Sequence, residues 1–594
     1  MVDVTRKNGN FSVRAYRGDA KTLLAFNLAK AGTKNLAGFT IQCEPNGLAA
    51  YYIFNQLQFE KPGNHTQVAT EPANSSVNAP IHKFRWIHVP GSVHQGLKPF
   101  FGKYKYTVTP RYFDERRSML PLNPALSAAV SIEVAPFQKG KIAIGFTRGF
   151  TQSQAFVHHF GKTALIRPKT KELVFDTSKQ SGVNAVGEKY TYADEYEWLG
   201  FTARERVFAL LNEVLAKKTL RLDMFAYDLN EPDLIDAVLK LAKQGRVRVI
   251  LDNASLHHST SAPEPEDEFE KLFTQAMKGD AAILRGRFGS FAHDKVLIVS
   301  NKTAAIKVLT GSTNFSVTGF YVNSNHVLVY DDPKVAATYA EVFKQAWNDG
   351  AKKDKFQQSR WSTEVFEFKA QSTSITFAPH DTTTVAKILG DVAKRIKQEG
   401  TKSKGNVLFA VMALDISTSP VYDALNTLHA DESIFSFGIS DTTKGIRLYK
   451  PGRKTGVLVT GKPAKTVLPP PFNQVPGVGL GHQVHHKFVI CGFNRDDAVV
   501  YCGSSNLNDG GEEKNGDNLL EIHDKDIATV FAIEGLGLVD HFNFLNRYAD
   551  GGQPAASPQA AAVAAEWFLS TTDRWTLPYF DADDLKCVDR LLFA

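Results

Sequence analysis

The sequence predicts a mixed α/β protein: an all-β sandwich followed by two α/β units that repeat one another around one site. Three observations carry this prediction. Residues 1 to about 150 are a succession of β-branched and aromatic runs separated by Gly, Pro and Asn clusters, the pattern of short antiparallel strands. After about residue 195 the order helix, strand, helix, strand appears, and about 180 residues later it returns, as expected of layers built on a central sheet. Each copy is then followed by the same spaced set, His-x-Lys and Gly-Ser-x-Asn.

Taken in order, FSVRAYR, TLLAFNLA, GFTIQCE, YYIFNQLQFE, KFRWIHV, KYKYTVTPRYF, AVSIEVAPF and KIAIGFTRG read as the strands of a sandwich over residues 1–150. KFRWIHVPG and GKYKYTVTPRYF are similar to strand pairs of immunoglobulin-like or fibronectin-like domains. The stretch holds no catalytic constellation and is expected to dock or orient a substrate. Residues 151–195 read as a linker. In the first α/β unit, residues 196–355, ARERVFALLNEVLAKK has helical apolar spacing and TLRLDMFAYDL alternates like a strand. EPDLIDAVLKLAKQG opens with acids, runs helically and stops at Gly245, before the strand RVRVILDN. In the second unit, residues 356–548, TTVAKILGDVAKRIKQEG, NVLFAVMALD, SPVYDALNTLHAD and SIFSFGIS repeat that order. The tail, residues 549–594, opens with the linker-like, Ala-rich GGQPAASPQAAAVAAEWF. WTLPYFDADDLKCVDRLLF is expected to pack back on the core through its aromatic side chains.

Composition narrows the class. At 594 residues, 43% hydrophobic and 22% charged, the chain has the balance of a soluble protein of about three to five domains. No apolar run is long enough to span a membrane, and MVDVTRKNGNFSVRAYRG lacks the apolar core of a secretory signal. Cys43, Cys491, Cys502 and Cys587 are too few for a disulfide framework, so a reducing, cytoplasmic compartment is expected. The net charge of +7 is mild for this length, but it is unevenly spread. Between Lys444 and Lys465 the chain carries Lys444, Arg447, Lys450, Arg453, Lys454, Lys462 and Lys465 with no acidic residue. The run reads either as a solvated loop or as an electropositive lip drawing in a phosphate-bearing substrate.

The chemistry lies in the repeated set. His293-x-Lys295 aligns with His485-x-Lys487, and Gly311-Ser312-x-Asn314 with Gly503-Ser504-x-Asn506. The interval from His to Asn is 21 in both copies, and from that Asn to Asn325 or Asp517 it is 11 in both. One His-x-Lys means little; two with the same downstream partners at the same distance define a duplicated site. Alternation along HDKVLIV and HHKFVIC puts His and Lys on one face of a strand and sends the intervening residue to the other. Glycine before Ser312 and Ser504 permits a tight backbone path. Two imidazoles, two ammonium groups and two amides around one spot suit a phosphodiester. One His attacks phosphorus, the other protonates the leaving oxygen, and Lys295, Lys487, Asn314 and Asn506 neutralise the equatorial oxygens. Lysines among the innermost groups argue against a metal centre. Neither metal nor cofactor is expected.

On these motifs the chain resembles the phospholipase D superfamily, whose signature is His-x-Lys, an Asp after four further residues, and then Gly-Ser-x-Asn, twice per site. The resemblance covers about residues 195 to 550. It implies a paired α/β fold and a metal-independent, two-step reaction through a phosphohistidine. The family Asp would fall at Ser300 and Gly492, so both copies depart from the full signature; the tyrosyl-DNA phosphodiesterase branch also works with His, Lys and Asn alone. In the family, the position of Asn325 and Asp517 holds a group that bonds a catalytic imidazole, across the two halves. That implies Asp517 on His293, making it the nucleophile, and Asn325 on His485, making it the general acid. HHKFVI, GSSNL and NGDNLLEI look like bacterial nuclease-type members, so nucleic acid is the expected substrate. A phospholipid is the alternative, with LPPPFNQVPGVGLG as an apolar lip, and a phosphate-binding scaffold without turnover is the third reading. With both half-sites in one chain, no oligomer is needed to complete the site.

Overall fold

The computed structural model describes residues 2–594 apart from 92, 150–153, 162, 171, 185, 403–404, 414–417, 433, 443–444, 450–456, 460–482 and 551–567. The N-terminal strands form two four-stranded antiparallel sheets. One runs Asp3–Asn8, Phe11–Arg17, Thr22–Leu28, Arg85–His88; the other runs Tyr51–Tyr52, Leu36–Pro45, Gly102–Tyr112, Ala128–Val134. Alternation turns Val13, Ala15, Leu24 and Phe26 of the first toward Phe39, Ile41, Tyr106 and Val108 of the second, in one apolar core. The expected pairing of KFRWIHV with KYKYTVTPRYF is not made, because these strands lie in opposite sheets. Hairpins keep Phe11–Arg17 and Thr22–Leu28 side by side in one sheet, whereas an immunoglobulin arrangement splits its second and third strands between sheets.

KIAIGFTRG, expected to close the sandwich, belongs elsewhere. Strands β1 (Gln138–Lys139) and β2 (Ile142–Phe146) join a mixed eight-stranded sheet. Its other strands are β3 (Arg221–Ala226), β4 (Val247–Asp252), β5 (Ala282–Gly286), β6 (Val296–Ser300), β7 (Ala305–Gly311) and β8 (His326–Tyr330), in the order β5-β4-β3-β6-β7-β8-β2-β1. Helices Tyr192–Ala216, Pro232–Lys243 and Pro333–Asn348 cover it. The stretch expected as a linker holds the short helix Gln154–Phe160 and the hairpin Gln180–Val183 with Lys189–Thr191. His159 is buried there, against the carbonyl of Gly91.

A second, nine-stranded sheet contains β9 (Phe366–Phe368), β10 (Thr373–Ala378), β11 (Asn406–Met412), β12 (Phe435–Thr442), β13 (Gly445–Tyr449), β14 (Val457–Val459), β15 (Lys487–Cys491), β16 (Val499–Gly503) and β17 (Asp517–Ile522). Its order is β9-β10-β17-β16-β15-β11-β12-β13-β14. From β9 to β12 this matches the first sheet strand for strand, including one parallel pair, β3 with β4 and β11 with β12. The sheets differ at the strand beyond: β5 is parallel to β4, while β13 returns antiparallel to β12. The stretch read as a basic loop is therefore partly an edge hairpin.

One apolar core joins the parts. Tyr16 and Leu23 of the N-terminal sheets, Phe225 and Tyr330 of the first large sheet, and Phe488 of the second share it with Phe531 of the helix Lys525–Asp550. The tail packs back as expected, with Trp575 and Tyr579 against the sandwich core and Phe593 in the shared one. Its Ala-rich stretch lies outside the described residues. Among the described residues no helix is long and apolar enough to cross a membrane.

Candidate active site

Both histidines stand just before a strand. β6 begins at Val296 and β15 at Lys487, so His293, Lys295 and His485 are held in extended coil, outside the ladders the alternation had suggested. The two sheets meet here edge to edge in sequence terms. The N–H of Ser324 donates to the carbonyl of Gln483, and that of Gly516 to the carbonyl of Phe291. Each contact brings the residue before one half's Asn325 or Asp517 onto the segment before the other half's histidine.

The imidazoles are anchored across that boundary. Nδ1 of His293 is 2.7 Å from Oδ1 of Asp517, and Nδ1 of His485 is 2.8 Å from Oδ1 of Asn325. The hydroxyl of Ser312 donates to the same Asn325 oxygen at 2.8 Å, and that of Ser504 helps hold the charge of Asp517. Asn325 is fixed further by donating from Nδ2 to the carbonyl of Gly319 at 2.8 Å. The intervening residues do face away, and they pair across the boundary as well. Asn518 donates to Asp294 at 2.7 Å, while His486 and His326 approach through Nδ1 atoms at 3.2 Å with rings nearly parallel.

The lysines turn back to their own histidines. Lys295 donates to the carbonyl of His293, and its Nζ lies 4.6 Å from the centre of the Tyr227 ring. Lys487 donates to the carbonyl of His485 at 3.1 Å, with the sulfur of Met412 at 3.8 Å. Tyr227 and Met412 hold equivalent places, each two residues past the partner of the residue that follows the lysine. The Tyr227 ring also stands edge-on to His293, with centroids 4.7 Å apart. Asn314 and Asn506 follow the β7 and β16 glycines, and each has a buried Oδ1 with no protein partner. Nδ2 of Asn314 lies 3.5 Å from Asp228.

The site is buried, and burial governs its protonation. His293 is held well below the ordinary imidazole range by burial, with Lys295 and then Lys487 adding repulsion. Asp517 is lifted to about 7 by burial, against the pull of Lys295. Lys295 falls to about 8 by burial, opposed first by Asp517 and then Asp294. Lys487 falls well below the ordinary lysine range by burial and then repulsion from Lys295. These mutual influences place His293, Lys295, Lys487 and Asp517 in one electrostatic neighbourhood.

Sequence reading missed several residues here. His257, in the turn after β4, is buried with Nδ1 2.9 Å from Asp252. Asp228, His257 and Glu266 bring one donor atom each within 4.8 Å of one another, a set able to hold a cation beside the imidazoles. Burial lifts Glu266 to about 7, and Asp228 also feels Lys295. The readable signal was the Tyr-Asp after the strand LRLDMFA. Of the basic run, Arg447 lies half-buried on β13; Lys444, Lys450, Arg453 and Lys454 lie outside the described residues. Ser300 ends β6, and Gly492 follows β15. Each is five residues past its lysine, about 16 Å along an extended chain.

Comparison with known proteins bears on this arrangement. A family profile described as "Cardiolipin synthase, PLD-like domain" matches residues 211–347, which span His293, Lys295, Asn314 and Asn325. A "Mitochondrial cardiolipin hydrolase" of Chlamydomonas reinhardtii is 28% identical over 137 residues, covering 23% of this chain and 55% of the relative. A "Phospholipase D" of Rickettsia prowazekii is 31% identical over 120 residues, covering 20% of this chain and 51% of the relative. The chain thus spans about half the length of these curated relatives. The solved structure of yeast tyrosyl-DNA phosphodiesterase aligns over 54% of this chain and 88% of its own, at 12% identity and a TM-score of 0.31. Residues 211–347 are thus similar to phospholipase D-like domains, and the second copy of the motif set lies beyond the matched stretch.

Proposed function

We propose that this chain is a metal-independent phosphodiesterase that works through a phosphohistidine, with His293 as nucleophile and His485 as general acid. The observation that carries the reading is the crossed pairing of two imidazoles through Nδ1, one to a carboxylate and one to an amide. Anchoring Nδ1 assigns the chemistry to Nε2. His293 Nε2 attacks phosphorus, a P–N bond forms and the P–O bond to the leaving group breaks as His485 gives that oxygen a proton. His485 then takes a proton from water, the water oxygen attacks phosphorus, and the P–N bond breaks. A carboxylate supports the positive charge that grows on the attacking ring, and an amide orients the acid without raising its basicity. Lys295, Lys487, Asn314 and Asn506 offset the charge on the equatorial oxygens.

In this reading residues 196–355 and 356–548 are two copies of one unit closing one site in one chain, and the N-terminal sheets orient the substrate in a cytoplasmic enzyme. Nucleic acid is the preferred substrate, on the strength of the basic run from Lys444 to Lys465 and the nuclease-like motif style. The names of the matching relatives favour a second substrate class, phospholipid. The protein is to be incubated with EDTA and, in turn, bis-p-nitrophenyl phosphate, single- and double-stranded DNA, RNA and phosphatidylcholine. Turnover of a nucleic acid is expected. Release of choline without nucleotide would replace nucleic acid by phospholipid, and no turnover of any diester would leave only a scaffold. Loss of activity on chelation contradicts the metal-free route. Trapping the phosphoenzyme with a slow-leaving substrate and an alkaline quench, under which a P–N bond survives, is expected to label His293; label on His485 reverses the roles.

A further inference from the structure

Neither histidine lies in a ladder of its own sheet; the N–H of His485 donates to the carbonyl of Ser324 at 3.1 Å, and the residue before each histidine is fixed as well. A carboxylate does so in each half. Asp252, at the end of β4, accepts the N–H of Ala292, the residue before His293, at 2.5 Å. Asp441, in β12, accepts the N–H of Val484, the residue before His485, at 3.2 Å, and that of Gln483 at 2.5 Å. The two positions correspond in register. Phe225 and Ala410 pair with the residues after the two lysines. The next residues, Ala226 and Val411, pair with Leu251 and Ser440, which precede the two aspartates. Both carboxylates are buried, so each replaces its lost hydration with these donors and is held rigidly by them. Asp252 has a second duty: its other oxygen takes the N–H of Ala254 and Nδ1 of His257, both at 2.9 Å.

We infer that Asp252 and Asp441 are positioning residues for the reaction, each setting the backbone in front of one imidazole so that the ring meets its partner across the halves. This rests on the phosphodiesterase reading above. The carboxylates hold the peptides that lead into each histidine, and a displacement of about 1 Å in a reacting group can cost about 100-fold in rate. No such carboxylate touches substrate, so its loss acts through one histidine and carries that histidine's chemical character.

The test compares full-length wild type with Asp252→Ala, Asp441→Ala, Asp252→Asn and Asp441→Asn. Two diesters are used: bis-p-nitrophenyl phosphate, whose nitrophenolate departs without a proton, and an alkyl-leaving diester, dithymidine phosphate or phosphatidylcholine, whichever wild type turns over. The nitrophenolate burst in a single turnover reports attack alone. Asp252→Ala is expected to slow that burst about 30-fold and to slow the alkyl diester equally. Asp441→Ala is expected to leave the burst within about threefold and to slow the alkyl diester about 30-fold. KM stays within about threefold throughout, and the Asn variants recover most of each loss because an amide oxygen still accepts the N–H. Equal losses on both diesters for both variants, unchanged rates, or Asn variants as poor as Ala ones overturn the proposal. If wild type turns over no diester, the phosphodiesterase reading fails instead. Positioning is then read from the Nδ1–H proton resonances of His293 and His485. Each is expected to shift only in its own aspartate's variants; unmoved resonances overturn the proposal.

Discussion

A carboxylate 2.7 Å from one imidazole and a carboxamide 2.8 Å from the other make chemically different partners for rings of the same type. When Asp517 is ionised it accepts the Nδ1 proton of His293 and leaves Nε2 unprotonated for attack. When Asp517 is protonated it donates to Nδ1, the ring's own proton moves to Nε2, and attack stops. Burial lifts Asp517 to about 7, so kcat/KM is expected to fall as pH drops below about 7. Lys295, lowered to about 8, loses its charge above that value, and a falling basic limb is expected there. A pH profile of kcat/KM on bis-p-nitrophenyl phosphate checks both limbs. Asp517→Asn is expected to move the acid limb below 7 and to lower the plateau by about 100-fold, since an amide adds no charge to the developing cation. At this scale the sequence was readable where residue types recur at equal intervals: His293, Lys295, Asn314 and Asn325 against His485, Lys487, Asn506 and Asp517. Asp252 ends β4 while Asp441 lies one residue before the end of β12, they follow different residues, and a methionine takes the place of Tyr227 in the other copy. Nothing in their spacing marks them until the sheets are aligned.

Strands explain the two glycines of the repeated motif. Gly311 has φ +148°, and a β-carbon there would lie 2.3 Å from the carbonyl oxygen of His326; Gly503 has φ +137°, with the corresponding distance to Asn518 at 2.4 Å. In both halves a methyl group would push away the strand that begins beside Asn325 or Asp517. Gly503→Ala is expected to cost about 2–4 kcal/mol, seen as a lower Tm, and to reduce activity through a displaced Asp517. The absent motif carboxylates act at the other end of their strands. Ser300→Asp is expected to leave kcat/KM within about twofold, because the position is about 16 Å along the chain from its lysine. Gly492 sits at φ +74° beside Arg395, Arg495 and Asp497, so Gly492→Asp is expected to lower Tm without raising activity; a rate gain from either substitution would contradict this placement. The helices and most strands were legible from periodicity and capping. The edge hairpin of β13 and β14 was not, because its lysines and arginines obscured the alternation of Ile446, Leu448, Val457 and Val459.

Across the whole molecule the boundaries were less legible than the units. Composition changes little near residue 150, yet β2 leaves the sandwich to pair with β8, and pairing with a strand 180 residues away has no local signal. Nor does sequence reveal that the N-terminal sheets share a core with both large sheets and with Phe593. Lys21 forms a buried ion pair with Glu534, and Asp19 accepts the N–H of Phe137 at 2.7 Å, so the sandwich is fastened to the α/β body. The tail closes this arrangement: Trp575 donates to the carbonyl of Leu36 at 3.0 Å, and Tyr16 donates to that of Phe593 at 2.7 Å. Deleting residues 568–594 is therefore expected to lower Tm and raise binding of an apolar dye at neutral pH; an unchanged melt would show that these aromatic contacts do not support the core. Because each half supplies the group that sets the other's imidazole, the halves form an interlock in which neither key turns alone. Parting the two sheets would therefore loosen both imidazole anchors together.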